Sequence, residues 1–207
     1  MNTVVQKKFS KLKKTFVERI SKDSNNSTFS SFCAFPPEVS FNGQDESENI
    51  ILMVRKHPIT FLPQILLSLV LLFSPFFLLS IFKNVLDNGS FALWLGSSIL
   101  FFLIAITIAV DSFFKWYYTV NIITDEKIID VNFDNILFHS FAEAQLERIE
   151  DVSHKPIGIF SSIFDYGNVY IQTAGTKPEF VFDSVPRPRD VQDTLFDLIE
   201  LKQEGKI

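Results

Sequence analysis

The chain has 207 residues, 47% of them apolar, with 24 phenylalanines and a mean hydropathy of +0.21. Those values exceed what ordinary soluble domains carry and point to a membrane class. The formal charge is −5 and Cys33 is the single cysteine, which excludes an intramolecular disulfide and any cysteine-rich metal centre.

Charge is unevenly distributed. Residues 1–22 hold Lys7, Lys8, Lys11, Lys13, Lys14, Arg19 and Lys22 against Glu18 alone, a net of +6, so residues 23–207 carry −11. Val5, Phe9, Leu12, Phe16 and Ile20 recur at spacings of 4, 3, 4 and 4, one face of a helix, with most of the lysines between them. A basic amphipathic segment of this kind reads as a binder of anionic lipid surface through Lys7, Lys8, Lys11 and Lys14 beside Phe9, Leu12 and Phe16. A solvated basic tail, or a helix docked on the protein itself, is the alternative. Residues 23–49 are Ser/Asn-rich, with Pro36-Pro37 and then the acidic run DESEN, a composition that predicts a largely disordered linker.

Residues 50–115 hold the greasiest part of the chain. From Ile59 to Phe82 run 24 residues without a charge, and from Asn88 to Val110 another 23. A helix needs about 20 apolar residues to cross the hydrocarbon layer, so two spans are predicted, about 59–82 and 90–111. Pro63 falls in the first turns, and Pro75 is a kink of the sort membrane helices tolerate. The short link at 83–89 makes the pair an antiparallel hairpin. Arg55 and Lys56 precede the first span and Lys115 and Lys127 follow the second, whereas the link holds Lys83 alone. The positive-inside rule therefore places both termini in the cytoplasm. The first span starts too far from Met1 for a cleavable signal peptide. Ser68, Ser74, Ser97, Ser98 and Thr107 are mild helix-packing groups, and no charge lies mid-span to line a pathway. Asp111 and Lys115, four apart, are expected to pair at the interface.

From Trp116 the period changes from helix to strand. YYTVNIITD and EKIIDVNFD, joined at Asp125-Glu126, read as a hairpin. Weaker strand signals follow at 138–142 and 149–155. IGIFSSIF (157–164) reads as a helical turn or a loop that plugs the core. Strands are predicted at 168–175, with Val169, Ile171 and Thr173 on one face, and at 179–185, with Phe180, Phe182 and Val185. The chain closes with an amphipathic helix whose stripe is Val191, Leu195, Leu198 and Ile199, with Pro188 at its first position. The expected class is α+β: a transmembrane hairpin, then at 116–207 a small antiparallel barrel or sandwich with a capping C-terminal helix.

The order VNIITDEKIIDV, AQLERIEDVSHKPIGIFSSIFDYGNVYIQTAG and EFVFDSVPRP, then a final helix, all behind a helical hairpin, resembles the bacterial pleckstrin-homology-like (PH-like) domain. It is closest to the membrane-anchored YdbS-like form, over roughly residues 50–202. The resemblance implies a fold and little about function. Gly167 is expected either to adopt positive φ or to let two backbones approach, and Tyr166 to bury its ring with its hydroxyl at a polar rim, both as structural corner residues.

The sequence offers no catalytic constellation and no cofactor motif, so no enzyme is expected. His57, His139 and His154 lack metal-ligand spacing. Residues 116–207 hold eight Lys/Arg against sixteen Asp/Glu, a net of −8. That charge speaks against phosphorylated headgroups and against nucleic acid as partners. Lys127, flanked by Asp125 and Glu126, looks like a lone loop cation whose removal changes little. The function expected is a non-enzymatic interaction or scaffold module at the cytoplasmic face of the plasma membrane. Its partners would be the lipid bilayer, a second copy or another membrane protein. The alternatives are an envelope-stress or transport-associated component, or a lipid-headgroup binder.

Overall fold

The computed structural model describes residues 30–36, 41, 43–45, 47–82, 90–135, 138–175 and 178–204. Two compact units divide the chain: Pro58–Trp116, and the segments on either side of it.

The first unit is helical. A 3-10 turn at Pro58–Phe61 leads into α1 (Leu62–Phe82), and α2 spans Ser90–Tyr118. Both helices are long and apolar enough to cross a membrane, and their most apolar windows are almost wholly exposed. Uncharged runs without helix-breaking pairs make them helical, and of the polar groups expected to pack the helices only Ser68 bonds across to the other one. Ser68 Oγ donates to the Ala105 carbonyl at 2.8 Å, and Trp94 Nε1 donates to the Pro75 carbonyl at 3.1 Å, an antiparallel register. Pro75 has no N–H for the Leu71 carbonyl, and Ser74 Oγ donates to that carbonyl instead at 2.8 Å. Ser97, Ser98 and Thr107 donate back to carbonyls of their own helix. Helix α2 runs on past the expected end at 111 to Tyr118, two turns that include the Asp111–Lys115 pair at 2.7 Å.

In the second unit all strand pairings are antiparallel. One sheet has the order β1-β2-β3-β4-β5, from Phe32–Ala34, Ile50–Arg55, Val120–Thr124, Lys127–Asn135 and Phe138–Gln145. The other has the order β6-β7-β8, from Ile149–Pro156, Tyr166–Thr173 and Glu179–Pro186. The one-turn α3 (Ser161–Phe164) links β6 to β7, and α4 (Pro188–Gln203) ends the unit with Pro188 at its first turn. The β3–β4 hairpin turns at Asp125-Glu126 as predicted, with Ile122 opposite Ile129.

One buried cluster joins both sheets and α4: Ile51, Leu52, Ile123 and Ile128 meet Val169, Ile171, Phe180, Phe182 and Val185, with Val191, Leu195 and Leu198 above. A second cluster, Cys33, Ile50, Met53, Ile122 and Ile129, covers the far face of the five-stranded sheet. Strand β2 is therefore buried on both sides.

Three expectations are corrected. The stretch 23–49, predicted as linker, contains β1, and β2 lies within the residues assigned to the hairpin. Both pair into the sheet because their apolar side chains, Phe32 and Ile51 among them, complete its core. No barrel closes among the described residues. At the 3-10 turn Leu146–Arg148, with Leu146 buried, the chain passes from one sheet to the other, so β5 and β6 end as separate edges. Finally, of the two readings of 157–164 the helical turn is realised, at Ser161–Phe164, and the core-plugging loop is not: Ile159 and Ile163 are 86% and 71% exposed.

Candidate functional site

Tyr166 and Gly167 open β7 directly after Asp165, whose left-handed backbone (φ 48°) turns the chain out of α3. Gly167 lies opposite Pro156 on one side and Val185 on the other. The close-approach role is the one realised: a Cβ there would meet the Lys155 carbonyl oxygen at 2.6 Å. The half-buried Tyr166 ring stacks on His57 at 5.5 Å between centroids, 21° from parallel, and Phe164 lies 6.4 Å from the same imidazole. The His57 N–H also donates to the Ser184 carbonyl at 2.7 Å. Burial lowers the His57 pKa below its ordinary value, with Asp165 opposing. Tyr166, His154, Arg187, Arg189 and Asp190 line a cleft of about 440 Å³. His154 Nδ1 is hydrogen-bonded to Gln192 Oε1, which ties β6 to α4. The His139 side chain lies outside what is described.

A second cleft, about 480 Å³, opens beside the β3–β4 turn and is lined by Asp45, Glu126, Lys127, Glu143, Arg148 and Lys202 among others. Here the picture of Lys127 as a lone cation fails. Its Nζ lies 3.6 Å from Glu48 Oε2 and 3.4 Å from Glu143 Oε2, and it donates to the Gly43 carbonyl at 3.3 Å. Burial disfavours the charge, but the two carboxylates outweigh it and hold the Lys127 pKa above its usual value. The Glu48 side chain is fully buried. It also accepts from Thr124 Oγ1 at 2.6 Å and from the Asp45 N–H at 3.3 Å. Carboxylate oxygens of Asp45, Glu48 and Glu126 lie within 4.8 Å of one another. The arrangement pins residues 43–45 and 47–49 to the hairpin, aided by the Asn49 N–H donating to Asp125 Oδ1 at 2.8 Å. Lys127 is thus engaged with two carboxylates and one carbonyl, the opposite of an arrangement that waits for phosphate. The sequence hid this site because Glu48 and Thr124 are 76 residues apart.

Arg55 is buried and its guanidinium lies 5.0 Å from the Tyr117 ring centroid. Burial raises the Cys33 thiol pKa, with Arg55 pulling the other way, and the group stays a buried thiol. Lys7, Lys8, Lys11, Lys14, Phe9, Leu12 and Phe16 lie outside the described residues. Strand β5 is an edge of its sheet over eight residues; Ala142 and Ala144 pack toward the core, while Phe141 is 52% exposed.

Comparison with protein-family models, curated proteins and solved structures finds no match for the chain.

Proposed function

We propose that the chain is a non-enzymatic scaffold anchored in a bacterial plasma membrane by α1 and α2, multi-pass with both termini cytoplasmic. In this reading the sheet unit is a PH-like domain of the YdbS-like kind. It binds a second copy or a neighbouring membrane protein rather than a lipid headgroup or nucleic acid. Segment 1–22, at net +6, adds contact with the anionic leaflet.

The observation that carries the proposal is the β5 edge. Strand β5, eight residues long, pairs only with β4 among the described residues, so alternate residues turn backbone N–H and C=O groups outward, and Phe141 is exposed. Such an edge is extended by a strand from another chain. The net charge of −8 over residues 116–207 favours a basic or neutral strand over a phospholipid. The engagement of Lys127 with Glu48 and Glu143 counts further against headgroup reading.

Two differently tagged full-length copies, co-expressed and purified in mild detergent, test this. Wild type should carry its partner through purification, either the second copy or one defined membrane protein. Phe141→Lys, which blunts the edge with a charge, should cut recovery about tenfold, equivalent to ~1.4 kcal/mol. Full recovery with Phe141→Lys, or no partner for the wild type, overturns the proposal.

A further inference from the structure

Pro156–Phe164 is a stretch of nine residues without a charge. Its conformation is built rather than slack. Ser161 Oγ donates to the Gly158 carbonyl at 2.7 Å, and the N–H groups of Ile163 and Phe164 donate to the Phe160 carbonyl at 3.1 and 3.0 Å. Ser161 is buried, whereas Ile159, Phe160, Ile163 and Phe164 are all exposed. A contiguous group of four large apolar side chains held outward marks a surface that something apolar covers.

The occupant follows from where the chain goes next. Phe164 and Tyr166 make ring contacts with His57, and His57 is peptide-bonded to Pro58, with the uncharged run beginning at Ile59. Two residues of backbone reach at most about 7 Å. The apolar loop therefore lies beside His57, the point at which the chain leaves the sheet unit for the uncharged run. Lys155 precedes the loop and Lys56 precedes His57, cations suited to the headgroup level on long apolar stems.

We infer that the 157–164 loop inserts Ile159, Phe160, Ile163 and Phe164 into the interfacial layer of the same bilayer that α1 and α2 cross. The inference rests on the membrane-anchor reading above. The loop is a second, non-spanning contact that fixes the sheet unit against the membrane, and its contact is apolar rather than recognition of a headgroup.

The test uses the full-length protein in a Cys33→Ala background, with single cysteines at Ile163→Cys, Gln172→Cys or Leu100→Cys. Each carries an environment-sensitive fluorophore in phosphatidylcholine vesicles. Gln172 is exposed on β7, and six residues along the strand from Tyr166 put it about 20 Å from the loop. Leu100 is an exposed residue midway along the second predicted span. Nitroxide-bearing lipids should quench the Ile163 and Leu100 labels at least about threefold more than the Gln172 label, and aqueous iodide should show the reverse order. Phosphatidylserine should not change the order. If only the Leu100 label is quenched by lipid and the Ile163 label is as open to iodide as Gln172, the loop inference is overturned and the anchor stands. An Ile163 label shielded from both quenchers indicates a protein contact, and a requirement for anionic lipid indicates headgroup recognition; either overturns it. A Leu100 label unquenched by lipid overturns the anchor reading, and the loop inference with it.

Discussion

At Gly167 the space for a side chain is taken: a Cβ would lie 2.6 Å from the Lys155 carbonyl oxygen and 3.2 Å from Pro188 Cγ. The first of these is backbone in a paired strand and cannot move without disturbing β6. Gly167→Ala should therefore destabilise the sheet unit by about 2 kcal/mol, read as a fall of about 6 °C in the thermal midpoint of the detergent-purified protein. Gly175→Ala is the control, since its nearest neighbour would be at 3.4 Å, an ordinary contact; equal shifts for the two variants would contradict the argument. The sequence identified the Tyr-Gly corner but could not choose between positive φ and close approach. The positive φ falls two residues before Gly167, at Asp165, a residue type that tolerates it. For Lys127 the sequence was incomplete for a different reason. Local neighbours Asp125 and Glu126 were visible, while Glu48, its buried partner, comes from a turn 79 positions away that only the fold brings near.

Among the elements, the two long helices were the most legible, because charge-free runs of that length form helices long and apolar enough to cross a membrane. Strands with period-two alternation were next: Val169, Ile171 and Thr173 do share the buried face of β7, and Phe180, Phe182 and Val185 that of β8. Strands β1 and β2 escaped. The first is three residues long within a Ser-rich stretch. The second is buried on both faces, so ILMVR shows no alternation and merges with the apolar run that follows. In the apolar 157–164 stretch the helical turn was legible and its exposure was not, since hydrophobicity says what a side chain avoids and not which apolar surroundings it finds. Membership of β1 in the core is testable. Phe32 is buried in the joint cluster, with the Arg187 guanidinium 5.5 Å from its ring centroid. Phe32→Ala should cost about 3 kcal/mol, about 9 °C in the thermal midpoint. A linker residue would leave the midpoint unchanged.

For the whole molecule, the sheet unit draws strands from both sides of the helical unit: β1 and β2 precede it in the chain, and β3 to β8 follow. Antiparallel pairing of β2 with β3, Met53 opposite Ile122, requires the chain to leave at His57 and return at Tyr117 on the same side. A two-helix hairpin satisfies this and a single span would not. That requirement comes from the fold, independently of the lysine and arginine distribution on which the orientation was argued, and the proposed anchor is consistent with both. The direct measurement is a pair of topology reporter fusions, one after Asp87 in the link between the helices and one at the C-terminus, in a bacterial host. A reporter active only in the cytoplasm should signal at the C-terminus and be silent after Asp87, and one active only outside the membrane should give the opposite pattern. An external C-terminus, or the same side for both fusions, would contradict a scaffold anchored at the cytoplasmic face.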